Sequence, residues 1–214
     1  MSLAHLFSAD CIVELVLGSA RAEEVHADER ALAAGYGPEP AALFALGRTA
    51  AHRCLRHYGL ESQPVLRGAG GEPIFPGGLK GSIAHTEGAG IAVTGPGGII
   101  GGIGIDVERR GRQVNPDIAR KVCRGPEAAN LERAGENADE LLLAFFCAKE
   151  AAYKAFFSYS GVRLRFEDVE LDPGPEGFRG RLAEPERWPG LPKSFRALTW
   201  RGEGLLVLGV TLPS

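Results

Sequence analysis

Between Leu141 and Val162 the chain reads LLLAFFCAKEAAYKAFFSYSGV, and only Lys149, Glu150 and Lys154 carry charge there. Aliphatic, aromatic and small residues fill the rest, so the stretch predicts a largely buried helix. Each ion in such surroundings costs about several kcal/mol unless something pairs or binds it. Glu150 and Lys154 are four residues apart and share a helix face. Lys149 points about 100° away from Glu150. An acid and a base on the wall of an apolar helix mark either a functional site or an internal i,i+4 ion pair, and the helix alone allows both.

The rest of the chain narrows the choice. Its 214 residues suffice for one large domain or two small lobes with a real core. The net charge of −3 gives no bulk electrostatic reason to expect nucleic acid. Cys11, Cys54, Cys123 and Cys147 are scattered without a CxxC pair, which reads as reduced thiols in a cytoplasmic protein. The N-terminus lacks a basic signal-like start, and Asp10 and Glu14 interrupt its apolar stretch. The uncharged run Gly88–Ile105 contains eight glycines and Pro96, a poor composition for a membrane helix. Two short strands joined by a turn fit it better.

Periodicity predicts a strand over Cys11–Leu17, a polar helix over Ala20–Ala34 and an amphipathic helix over Ala41–Tyr58 stopped by Gly59. Strands follow over Gly81–Ala84, Ala89–Thr94 and Ile99–Glu108. A helix starts near Pro116, and the long one runs over Ala138–Phe157. Four strands close the chain, over Phe166–Leu171, Gly177–Leu182, Phe195–Trp200 and Leu205–Thr211. Helix-then-strands occurs twice, which predicts an α+β fold of two pseudo-duplicated helix-plus-antiparallel-sheet lobes. The expected lobes are 1–112, carrying the Asp106/Glu108 strand, and 113–214, carrying the long helix.

The strongest upstream feature is GGIGIDVERR, residues 101–110. Asp106 and Glu108 alternate on a strand, so their carboxylates share a side. Like charges there repel unless a cation or proton joins them. Mg²⁺ suits such oxygen ligands and commonly keeps substrate phosphates in its shell. Pairing with Arg109 or Arg110 at a solvated strand end is the plainer alternative. His85, in GSIAHTEG, ends another short apolar strand.

These pieces, together with GRTAAHRCL (47–55), LRGAGGEPIFPGGLKGSIAH (66–85), FCAKEAAYKAFF (146–157) and FEDVEL (166–171), resemble the 4′-phosphopantetheinyl transferases of the Sfp/EntD type, in the EntD-like bacterial branch. The likeness spans about residues 41–171. It implies that the site lies between the two lobes. Asp106, Glu108 and Glu150 would hold Mg²⁺, or Mn²⁺, with the Val107 carbonyl nearby. Lys154 would contact the pyrophosphate of coenzyme A. Arg48, Arg67 and His85, preceded by Ala84, would meet phosphates of the nucleotide end. Gly68, Ala69 and Gly70 would line the adenine side, and Leu164 the pantetheine arm. A serine of an apo acyl or peptidyl carrier protein would attack the β-phosphorus and release 3′,5′-ADP. Its proton would go to Glu150 or to Glu127, which sits in RGPEAANL where the family often has an acid.

The chain also departs from that pattern. Pro38-Glu39-Pro40-Ala41 stands where relatives often carry a basic pair. Ala84 replaces a usual Ser or Thr, Gly70 a Lys and Phe75 a Trp. Weaker coenzyme A binding than in a typical relative is therefore expected. The basic stretch Arg109, Arg110, Arg112, Arg120, Lys121 and Arg124 is either a solvated helix face or an edge that steers an acidic carrier. With both lobes in one chain, a monomer is expected.

Other classes fit less well. No G-x-G-x-x-G lies between residues 88 and 107, and no Gly-Lys-Ser/Thr, HExxH or G-x-S-x-G occurs. A metal-dependent coenzyme A phosphohydrolase would not need the AKExxYK setting. In a non-catalytic coenzyme A-binding relative, the set of Asp106, Glu108, Glu150 and Lys154 would be the first to decay.

Overall fold

The computed structural model of the chain describes residues 2–20 and 25–214, with the side chains of all these but 116 and 117. In chain order the elements are β1 (Ile12–Leu17), α1 (Ala27–Leu32), α2 (Pro38–Arg56), β2 (Leu66–Arg67), β3 (Pro73–Ile74), β4 (Leu79–Thr86), β5 (Ala89–Pro96), β6 (Ile100–Arg109), α3 (Pro116–Val122), α4 (Pro126–Ala134), α5 (Ala138–Ser160), β7 (Val169–Gly174), β8 (Gly177–Leu182), β9 (Ser194–Gly202) and β10 (Leu205–Pro213). The expected long helices and main strands are all present. α2 starts earlier than Ala41, because Pro38 occupies its first turn, where no N–H is needed. α5 runs one turn further than Phe157. Gly161 stops it in a left-handed conformation (φ 75°) and returns its N–H to Phe157 O. Of the polar helix expected over Ala20–Ala34 only α1 forms, and residues 21–24 lie outside the described ones. α4 and the small β2–β3 ribbon were not expected.

Two antiparallel sheets stack between two long helices. The first has the order β1-β5-β4, the second β6-β10-β9-β8-β7. α2 covers the outer face of the first over Leu46, Ala50, Cys54, Val16 and Ala92. α5 covers the second over Phe145, Ala151, Phe156, Leu208 and Val210. The inner faces meet in a third core, where Ile91 and Val93 pack with Ile103, Ile105, Val107 and Val207. Each half is thus one helix on one antiparallel sheet, the expected α+β arrangement.

The expected division after residue 112 does not follow the sheets. β6 pairs with β10 from Ile100 to Arg109, so the strand carrying Asp106 and Glu108 belongs to the second sheet. The sheets divide at the turn 97–99. The repeated helix-then-strands order placed β6 with the segment before it, whereas strand pairing is a long-range property.

β6 is an edge strand, and side chains satisfy its open edge. Ser82 Oγ accepts from Ile105 N (3.2 Å), Lys154 Nζ donates to Ile105 O (3.0 Å), and Lys80 Nζ donates to Gly101 O. Those three contacts tie β4 and α5 to β6 where the site is built.

Candidate active site

The glycines of β6 set how closely α5 approaches. A Cβ on Gly102 would lie 2.3 Å from Ala155 O, and one on Gly104 would lie 2.0 Å from Ala151 O. Helix backbone therefore rests on strand backbone. Four helical residues rise about 6 Å and two strand residues about 6.8 Å, so antiparallel helix and strand stay in step. The next step up the ladder pairs Asp106 with Cys147, whose Sγ donates to Oδ2 at 3.1 Å.

Asp106 and Glu108 therefore face α5 at the exit of a glycine track, and both are buried. Asp106 Oδ1 accepts from Lys154 Nζ at 2.7 Å. Glu108 pairs with Arg112 and lies 3.5 Å from Thr86 Oγ1. Lys154 does not close the i,i+4 ion pair with Glu150 that the helix spacing allowed. It reaches across to β6, and among the described residues the Glu150 carboxylate takes no hydrogen bond or ion pair.

The electrostatics report crowded acids. Burial pushes the Glu150 carboxyl up; Lys154 pulls it down, while Asp106 and Glu108 raise it further. Burial likewise raises Glu108, opposed by its bond to Arg112 and reinforced by Asp106. Burial opposes the Lys154 ammonium, yet Asp106 and Glu150 hold it above its ordinary value. Among the described residues, no group of three or more His, Cys, Asp or Glu side chains is gathered closely enough to hold a metal ion. The donors Asp106, Glu108 and Glu150 still fit a hard divalent cation in kind, since all are carboxylates and Glu150 feels the charge of both others. Asp106 and Glu108 would exchange their present partners for it. The Val107 side chain is locked in the inner core, so only its carbonyl is left for such a role.

Beside this junction lies a cavity of about 500 Å³ between the two lobes, lined by Gly70–Phe75 and Leu79–Ile83 on one side and by Tyr153, Lys154, Phe157, Ser158 and Gly161 on the other. A smaller cavity of about 250 Å³ adjoins Glu150, Tyr153, Leu164 and Phe166. Tyr153 belongs to both walls, so the two cavities flank one residue of α5. Leu164 and Glu150 are thereby brought together, as are Gly70 and Lys154.

The other expected residues divide. Arg48 is buried, its guanidinium 4.7 Å over the Phe44 ring, with Nε 3.9 Å from Glu29 Oε1. Burial lowers its pKa, Glu29 raises it, and the Arg67 charge lowers it. Arg67 donates to Tyr36 Oη at 3.0 Å. Desolvation and then the charge of Lys154 push His85 down, with Asp106 and Arg48 also acting on it. Arg48, Arg67 and His85 thus form a basic group beside the larger cavity rather than in its lining. Gly68, Ala69 and Gly70 form the loop at its mouth. Ala84 alternates away from His85 into the inner core and brings no side chain to the site.

Glu127 is not placed as a base. It is buried and takes donors from Lys149 Nζ (2.8 Å), Leu171 N (2.8 Å) and Arg124 N (3.2 Å). Lys149 also donates to Phe166 O at 2.8 Å. The pair fastens α5 to α4 and to the start of β7, which explains the lysine beside Glu150. The basic stretch is mostly spoken for. Arg110 pairs with Glu140, Arg112 with Glu108, Arg124 with Glu167, and Arg109 donates to Glu87 O. Arg120 and Lys121 remain exposed on α3. Lys80, Ser82, Cys147 and Tyr153 were missed by sequence reasoning. Only the strand alternation of Lys80 and Ser82 and the helical spacing of Cys147 and Tyr153 hinted at them.

Comparison with known proteins agrees with this geometry. Residues 28–95 match the 4′-phosphopantetheinyl transferase N-terminal domain, and residues 102–189 match the 4′-phosphopantetheinyl transferase superfamily. The two matches meet near the division of the sheets. The 4′-phosphopantetheinyl transferase PptT of Mycobacterium tuberculosis is 33% identical over 173 residues, 77% of this chain and 75% of that one. This chain belongs to the 4′-phosphopantetheinyl transferase superfamily. The transferase Svp of Streptomyces mobaraensis is 31% identical over 79% of this chain and 71% of its own. The transferase Npt of Nocardia iowensis is 29% identical over 66% and 67%. Like them, the protein is an enzyme of the phosphopantetheinyl transferase class. The Sfp/EntD-type resemblance read from the motifs agrees with these relatives. Among the described residues, no helix is long and apolar enough to cross a membrane.

Proposed function

We propose that the protein moves the phosphopantetheine arm of coenzyme A onto a serine of an apo acyl or peptidyl carrier protein, with Mg²⁺ or Mn²⁺, releasing 3′,5′-ADP. The observation that carries this reading is the junction of β6 and α5, where Lys154 lines a cleft between the lobes and bonds Asp106, with Glu108 on the same strand and Glu150 in the wall of the adjoining cavity. Asp106, Glu108 and Glu150 would hold the ion, which when bound neutralises charge on the pyrophosphate.

The chain's own residues then have separable roles. Lys154, held on the cleft side by Ile105 O, offers a fixed cation to the charge that develops on the leaving group. The serine Oγ forms the new bond to the β-phosphorus, and the bond to the 3′,5′-ADP oxygen breaks with its electron pair. Glu150 takes the serine proton. Among the described residues its carboxylate takes no hydrogen bond, so an oxygen that it does not lend to the ion can accept that proton. Glu127, with its oxygens already accepting three donors, holds α4 in place instead. Arg48 and Arg67 supply positive charge toward the nucleotide end, His85 beside them serves as a neutral hydrogen-bonding group because burial and Lys154 push its pKa down, and Leu164 packs beside the pantetheine arm. Arg120 and Lys121 are the part of the basic edge left to meet an acidic carrier, an attraction that added salt would weaken.

The test is to incubate the chain with coenzyme A, Mg²⁺ and an apo-carrier and to weigh the carrier. A gain of the phosphopantetheine mass, abolished by Asp106→Ala, is the expected result. Free 3′,5′-ADP with an unmodified carrier would mean hydrolysis, and no change in either would mean a binding role.

A further inference from the structure

At the mouth of the larger cavity the hairpin loop between β2 and β3 turns through two adjacent glycines, and a different guanidinium lies against each. A Cβ on Gly71 would be 3.6 Å from Arg67 Nη2, and one on Gly70 would be 3.0 Å from Arg163 Nη2. Arg67 belongs to the hairpin itself. Arg163 comes from the other lobe, just past the end of α5. It donates from Nη2 to Gly70 O at 2.9 Å and stacks 5.2 Å from the centre of the Phe157 ring.

Both arginines are exposed, and among the described residues neither makes an ion pair. Arginine carries five N–H donors, so the single bond to Gly70 O leaves most of the Arg163 fork unused. The one acid in the loop is Glu72. Its carboxylate is tucked beneath Gly68 and Gly70, with Oε2 buried and without a hydrogen bond. It offsets one of the two positive charges and leaves the other for a ligand. A planar cation pre-oriented by an aromatic ring and a carbonyl, at the mouth of a cleft, is suited to bidentate capture of a phosphate.

We propose that Arg163 is a substrate-binding residue that reaches from the C-terminal lobe to grip a phosphate of coenzyme A, forming with Arg67 a two-arginine clamp around the glycine loop. The proposal rests on the transferase reading above. It makes the nucleotide-end site a joint product of both lobes and gives Gly70 a reason to lack a side chain.

Calorimetric titration of the full chain with Mg²⁺ and either coenzyme A or 3′-dephospho-coenzyme A tests it. Arg163→Gln keeps a donor for Gly70 O and removes the charge. It should weaken coenzyme A binding about tenfold or more at an unchanged melting temperature. Arg163→Lys should recover part of that loss. A loss confined to coenzyme A would place the gripped phosphate on the ribose 3′ position, and an equal loss for both ligands would place it in the diphosphate. Binding by Arg163→Gln within about twofold of wild type would overturn the proposal. So would a loss that Lys does not repair at all, since that marks a structural latch. If the wild-type chain takes up no coenzyme A, the transferase reading fails and this inference falls with it.

Discussion

Gly104 and Ala151 meet backbone to backbone: a Cβ on the glycine would stand 2.0 Å from the alanine carbonyl oxygen. Gly90 and Leu46 repeat the device in the first half, where a Cβ would stand 2.3 Å from a carbonyl carbon of α2. In both lobes a strand glycine lets a long helix lie on its sheet. Only in the second does the glycine track run out into two carboxylates.

Gly104→Ala should therefore separate α5 from β6. Overpacking against backbone that cannot rotate away should cost about 3 kcal/mol, roughly 6–12 °C in melting temperature for a chain of this size. Transfer activity should fall further than stability, because Glu150 and Lys154 would move away from Asp106. Differential scanning calorimetry with carrier modification at a temperature where the variant is still folded separates the two effects. Unchanged stability would mean that the helix has room to spare.

Much of this was legible in the sequence. The apolar helix announced itself by composition, and strand alternation put Asp106 and Glu108 on one side. Pairing and reach were not legible. Which sheet β6 joins is decided by β10, about a hundred residues later. Helix spacing put Glu150 within reach of Lys154, but Asp106, fixed 2.7 Å away by the glycine track, takes the ammonium instead. Glu127 was expected as a base because the family it resembles often has an acid there, whereas the structure surrounds it with donors. The expectation of a weak nucleotide end rested partly on Gly70. Nothing local could reveal that Arg163, 93 residues away, folds onto that glycine.

Lys154→Met should cut turnover about 100-fold or more, the typical cost of removing one aligned transition-state donor. The loss should appear in kcat, with a smaller change in coenzyme A affinity, if Lys154 acts mainly on the leaving group. Lys154→Arg keeps the charge but not the compact ammonium that fits between Ile105 O and Asp106 Oδ1, and should restore only part of the rate. Steady-state rates by carrier mass decide this, and a kcat within about threefold of wild type for the Met variant would remove Lys154 from the chemistry.

The Lys149–Glu127 pair is 2.8 Å long with both side chains almost fully buried, at 2% and 3% exposure. Removing one partner leaves a buried charge alone, so Lys149→Met should cost about 3–5 kcal/mol. Adding Glu127→Leu should recover part of that loss, because no unpaired ion remains. Urea unfolding of the two single variants and the double variant measures the coupling. Glu127→Gln, assayed where it is folded, should keep the pH dependence of turnover. A lost acidic limb, where the rate rises as the base ionises, would return Glu127 to the role of base.

His52 should lend the first lobe a pH-dependent stability. Its Nε2 lies 2.9 Å from Glu29 Oε2, and Glu29 is fully buried, also accepting from Val65 N at 2.7 Å. The hydrogen bond to Glu29 is the largest influence on the imidazole and raises its pKa; burial opposes it, and the charge of Glu29 and the Glu61 carbonyl reinforce it. A group whose folded pKa is raised contributes fully below its unfolded value, about 6.5, and loses that contribution as pH climbs through the folded value. The stability gap between wild type and His52→Gln should therefore be larger at pH 6 than at pH 9. Chemical unfolding of both proteins across that range is the measurement. A gap that stays constant, or widens with pH, would show that His52 holds Glu29 as a neutral donor and that its protonation is not coupled to folding.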